Sequence, residues 1–220
     1  MSLKSSVKIV MIGLSVTFIL RLVGTLLPSF FEARILAVPA AGIHLMTNAF
    51  LVYFFLLFAR DYLDRERESL RSAALWAGAG AVINAVANLR FIISMVHSAA
   101  IPDFLRDDFV DLIGPLMGFA LMLAFFVRFR NRLLPDERPE LKRGTRSAVF
   151  GYALFILLQA VVLINYYISG TSEPSVIPGI LIWFTLPLLI IGFIAILDFY
   201  RLFHRYLQWS WRPTPERDRP

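Results

Sequence analysis

Seven residues in apolar surroundings carry groups at spacings that suit chemistry: Arg21, His44, Asn48, Arg90, Ser94, His97 and Asp111. On a helix His44 and Asn48 stand at i, i+4, with Thr47 beside them, and Arg90, Ser94 and His97 stand at i, i+4, i+7. Each set is therefore one stripe on one face. Guanidinium groups among neutral donors suit the capture of an anion, because charge-assisted, often bidentate bonds hold a carboxylate or a phosphate. For that chemistry, Arg21, His44, Asn48, Arg90, Ser94 and His97 must converge on one cavity from three segments. Asp111 lies on the same side.

The same residues admit other roles. An arginine at the centre of a membrane-spanning helix costs about 2.5–3.5 kcal/mol, so Arg21 and Arg90 call for partners. Two of Asp107, Asp108 and Asp111 would serve as internal counter-ions, or the arginines would snorkel to headgroups. His44 and His97 are the one histidine pair that could hold a b-type haem, since His204 falls in the C-terminal tail. Helical rise puts their depths about 6–10 Å apart, which leaves room for one haem and none for a two-haem chain. A lipid-modifying enzyme would use His44 or His97 as base and Asp111 to orient it. Other catalysis lacks its residues. There is no cysteine, hence no thiolate nucleophile or iron–sulfur ligand. No Gly-x-Ser-x-Gly, His-Glu-x-x-His or glycine-rich phosphate loop occurs. No catalytic residue is assigned, and no cofactor beyond the haem alternative.

The elements that carry these residues follow from composition. Of 220 residues 58% are apolar and 17% charged, which excludes disorder, a coiled coil and a disulfide-stapled scaffold. Six stretches reach the roughly 20 apolar residues that a bilayer core of about 30 Å demands. They run over 7–27, 35–59, 73–98, 109–127, 147–168 and 176–200. Long unbroken runs are helices, because lipid leaves no partner for an unpaired backbone amide. The fold class is an all-α integral membrane protein, a six-helix bundle with short loops. Residues 1–200 form the transmembrane domain. Residues 201–220 read as an interfacial amphipathic helix and a hydrophilic tail, with Phe199, Leu202, Phe203, Tyr206 and Leu207 on one face, Arg201 and Arg205 opposite, and Trp209 and Trp211 at the headgroups.

Orientation follows from the basic residues. The N-terminus, the second and fourth connections and the tail hold eighteen of the 22 lysines and arginines, whereas the other connections hold Arg34 and Arg106. Glu32, Asp103, Asp107, Asp108, Asp111 and Glu173 add an acidic bias to that second side. Both termini are expected to be cytoplasmic in the plasma membrane. Lys4 and Lys8 ahead of an apolar run imitate a signal peptide, yet Arg21 interrupts the run and no small-residue cleavage site follows, so it reads as a retained helix. The basic side suits anionic lipid headgroups rather than nucleic acid, for which no soluble basic domain exists.

This topology puts the polar groups under the outer leaflet, with Gln159 at mid-depth. Asn84 and Asn88 form a further i, i+4 pair, about 200° round the helix from Arg90 in the case of Asn88. They are expected to bond across helices, at roughly 0.6 kcal/mol each. Gly78, Gly80, Ala77, Ala81 and Ala87, with Gly114-x-x-x-Gly118, allow close approach between the third and fourth helices. Pro39 with Gly42, Gly114-Pro115, Pro178-Gly179 and Pro187 are expected breaks where backbone could line a cavity. The leading expectation is a small or lipid-like, anionic ligand in an outward-opening polar pocket, for transport or for signalling through partner chains. The alternative is a non-catalytic subunit of a larger membrane complex, with or without the haem. Partners are membrane lipids, other membrane proteins or further copies of the chain.

Overall fold

The computed structural model describes residues 2–26, 34–62, 68–96, 108–132, 139–169 and 179–210. They form six helices: α1 (Leu3–Leu26), α2 (Arg34–Leu57, closing in a π-helical turn Phe58–Tyr62), α3 (Glu68–Val96), α4 (Asp108–Arg132), α5 (Pro139–Ser169) and α6 (Gly179–Ser210). All six are long and apolar enough to cross a membrane. Each packs against its neighbours in sequence, and α1 packs against α6, so the helices close into a ring. One end of the ring carries both termini and the α2–α3 and α4–α5 connections, and is called the basic end below. The other is the distal end.

The basic half is closed by aromatic side chains. Phe54, Phe55 and Phe58 of α2, Phe125, Phe126 and Phe129 of α4, Tyr152 of α5, and Phe199, Tyr200 and Phe203 of α6 are all buried. Rings meet across the centre as well as between neighbours. Phe55 lies 5.2 Å from Phe125, Phe58 5.6 Å from Phe203, Phe54 5.2 Å from Tyr200 and Phe126 4.7 Å from Phe199. Tilted and edge-to-face pairs of this kind add about 0.5–1.5 kcal/mol each beyond burial. The result is a rigid plug filling the ring.

Small residues set the helix spacing. An ideal Cβ on Gly80 would lie 2.6 Å from the Gly118 carbonyl oxygen, and one on Gly151 would lie 2.6 Å from the Gly192 oxygen. Backbones touch at both places, as small-residue seams permit. The α3–α4 seam matches the expected close packing. The α5–α6 seam, through Gly144, Gly151 and Gly192, was not singled out in the sequence.

Three expectations need correcting. The expected breaks at Pro39, Pro115 and Pro187 lie inside continuous helices, each losing one backbone bond without interrupting the helix. Residues 201–210 form no separate interfacial helix: they prolong α6, and Phe203 and Leu207 are buried in the bundle. The face that would have lain on lipid instead finds the aromatic plug. Asn84 and Asn88 do not bond across helices to a polar partner either. Asn88 donates its Nδ2–H back to the Asn84 carbonyl at 2.6 Å, and the Asn84 carboxamide packs on Gly118 where a side chain would otherwise stand. Pro178 and the segment from Trp211 onward lie outside the described residues.

Candidate functional site

The α1–α2 seam provides a reference level. Thr17 and Thr47 hydroxyls lie 3.1 Å apart, and Thr47 also donates to the Ile43 carbonyl. Gly13 makes this approach possible, since a Cβ there would stand 2.9 Å from Thr47 Oγ1. Leu3, Val7, Val10, Leu14 and Thr17 form the buried face of α1. Arg21, four residues past Thr17, continues that same face. Yet Arg21 is exposed.

Its neighbour is His44. At 1.5 Å per residue Arg21 stands about 6 Å, and His44 about 4.5 Å, beyond the threonine level toward the distal end. The guanidinium lies within electrostatic range of the imidazole. His44 shares the face of Ala37, Leu51 and Phe55, all buried, and is itself half-buried. Asn48 is half-buried and ties its Nδ2–H to the His44 carbonyl at 2.9 Å. Past Thr17 and Thr47 the two helices differ: α1 exposes Arg21, whereas α2 keeps Ala41, Ala40 and Ala37 buried beyond the half-buried His44.

Arg90 is placed differently. It is only 8% exposed, and it lies on the α3 face shared by Ile83 and Ala87, the side chains that meet Gly114 of α4. That face is the α3–α4 seam rather than the ring's centre. Asn84, packed on Gly118, belongs to the same seam nearer the basic end, where Ala77 and Ala81 are also buried. Asp111 shares the α4 face of Gly118, Met122, Phe125 and Phe129 by helical phase. Counted from the Gly80–Gly118 contact, positions 90 and 111 stand about 15 and about 10 Å toward the distal end. Ser94, half-buried, donates to the Phe91 carbonyl at 2.7 Å. His97 lies outside the described residues, and with it the second ligand of the haem alternative. Among the described residues no cluster of histidines and acids could hold a metal ion.

Arg21 thus lies within electrostatic range of His44, Asn48 is tied to the His44 carbonyl, and Arg90 is buried on α3 apart from them, with Ser94 on the same helix. Two polar contacts were missed from sequence. Thr17 meets Thr47, and Ser147 of α5 donates to Asp198 Oδ2 of α6 at 3.2 Å. A single threonine or serine in an apolar helix gives no signal of its own. Asp198 did give one, as an acid three residues before Arg201 at the end of an apolar run.

Fold and site together define a multi-pass helical membrane bundle, closed by aromatics at one end. No protein family, curated protein or solved structure matches this chain.

Proposed function

We propose that the chain binds a small or lipid-like anionic ligand in a vestibule that opens at the distal end, for transport or for signalling through partner chains. The basic end, with both termini, faces the cytoplasm of a plasma membrane, because it holds eighteen of the 22 lysines and arginines. One observation carries the reading: Arg21 continues the buried face of α1 and is nevertheless exposed, beside His44, above a plug of buried rings. A costly intramembrane charge left exposed on an otherwise buried face, within electrostatic range of an imidazole, suits a contact to an anionic ligand. Arg90, held in the α3–α4 seam, supports the site as a structural counter-ion and is not a ligand contact in this reading.

The chain has no cysteine, so single introduced cysteines test the vestibule directly. A membrane-impermeant, charged thiosulfonate added from outside should modify Arg21→Cys and His44→Cys far faster than Phe55→Cys or Phe125→Cys in the plug. Equal protection at all four positions would reject an open vestibule. Native mass spectrometry from mild detergent then reads the ligand, expected as an adduct on the wild-type chain that Arg21→Gln loses.

A second reading, a subunit of a larger membrane complex, draws support from the apolar groove between α2 and α3. Leu45, Ala49, Val52, Val82, Ala85, Val86 and Leu89 line it, and none of the candidate site residues does. The same mass spectrum would then carry a second chain.

A further inference from the structure

We infer that the start of α5 is a binding site for the headgroup of an anionic phospholipid. A cleft at the basic end is lined by Pro139, Lys142, Arg143, Arg146 and Ser147. Its cations cannot turn inward. Leu141, Gly144, Thr145 and Ala148 on the opposite side of the helix are buried, with Gly144 against Phe199 and Leu202 of α6. Arg143 and Arg146, one turn apart, are exposed and can grip one phosphate together. Ser147 is half-buried, and its hydroxyl is committed to Asp198 Oδ2. Asp198 therefore lies behind Ser147 at the back of the cleft, and Arg143 and Arg146 are the exposed cations at its mouth.

The surface below the cleft selects a lipid over a free anion. Arg143, Arg146, Phe150, Ala153, Leu157 and Ile164 follow one another along a single exposed face of α5. Phe150 is 53% exposed and Leu157 51%. From Arg146 to Leu157 the helix rises about 16 Å, the depth of one leaflet of a bilayer core of about 30 Å. Two cations above an apolar track of leaflet length match an amphiphile with a phosphate head and an acyl chain. Basic pockets on the cytoplasmic side of helix bundles recognise anionic headgroups on this principle. The site lies at the opposite end from the vestibule and does not depend on it.

The test uses the full chain extracted from vesicles of equimolar phosphatidylglycerol and phosphatidylcholine, with the retained lipids weighed by mass spectrometry. The wild-type chain should retain phosphatidylglycerol preferentially. Arg143→Gln with Arg146→Gln should lower that preference about tenfold, the scale of one lost charge-assisted bond. Arg71→Gln with Arg128→Gln removes two exposed charges from the same end on α3 and α4, and should leave the preference intact. Both altered pairs are exposed, so melting temperatures should not move, and Arg146→Gln alone serves if the double variant misfolds. Equal losses in both pairs, no loss in the first, or no preference in the wild-type chain would overturn the site. Displacement of phosphatidylglycerol by inorganic phosphate would overturn the lipid assignment, and resistance to it supports the acyl track.

Discussion

Thr17 and Thr47 join hydroxyls at 3.1 Å across the α1–α2 seam, with the aromatic plug toward one end and Arg21 and His44 within two turns toward the other. Toward the basic end the inward faces carry phenylalanine and tyrosine. Toward the distal end α1 carries the exposed Arg21, and α2 carries the half-buried His44 followed by the buried Ala41, Ala40 and Ala37. The hydroxyl pair is itself half satisfied within α2, because Thr47 also donates to Ile43. It binds two helices without adding a charge, just beneath the place where charge is needed.

Topology gives the first prediction. Cysteines at Ser29 and Ser172 should react with an impermeant maleimide from outside intact cells, and one at Ser69 should not. The motive is the concentration of lysine and arginine on one side. Labelling of Ser69→Cys from outside would reverse the bundle and turn the vestibule toward the cytoplasm.

Helix spacing gives the second. Gly80→Ala and Gly151→Ala put a methyl 2.6 Å from a carbonyl oxygen of the facing backbone, which cannot move aside as a side chain can. Each should destabilise the bundle by about 1–3 kcal/mol, the usual cost of overpacking. Gly42→Ala meets nothing within 4 Å and should be neutral, or stabilising by up to about 1 kcal/mol through helix propensity. Thermal unfolding in detergent separates the three. A Gly80→Ala chain as stable as Gly42→Ala would contradict the backbone contact.

The third concerns Arg90 and α4. Helical phase and level set positions 90 and 111 on facing sides of the α3–α4 seam, so Arg90→Leu should strand an acid and the added Asp111→Asn should restore stability. A double-mutant cycle should give a coupling of about 0.5–3 kcal/mol. Additive effects here, and with Asp107→Asn and Asp108→Asn, would make Arg90 available to ligand instead.

The two arginines should then behave differently. Arg21→Gln removes the vestibule's charge while keeping polarity, and should weaken retention of an anionic ligand by about 1.5–3 kcal/mol with little change in melting temperature. Arg90→Gln should do the reverse, lowering the melting temperature and leaving retention largely intact. If Arg90→Gln alone abolishes binding, the site sits on the α3–α4 seam and the assignment of Arg21 falls.

Hydropathy and length determined the six helices. Crossing lipid requires each backbone amide to bond within its own segment, so each 20-residue apolar run had one structure open to it. Most ends moved by up to five residues, α5 begins eight residues ahead of its apolar run, and α6 grew past the tail boundary because Phe203 and Leu207 found partners in the plug. Spacing also put His44 with Asn48 on one face and separated Asn88 from Arg90. What spacing could not say is which face looks inward. Lipid is as apolar as leucine, so a membrane helix has little hydrophobic asymmetry to tell core from surface. Only the packing of the helices decided that Arg90 is buried against α4 while Arg21 stays exposed. Closure likewise gathered Phe55, Phe125 and Phe203, which nothing in their own segments distinguishes from the exposed Phe150.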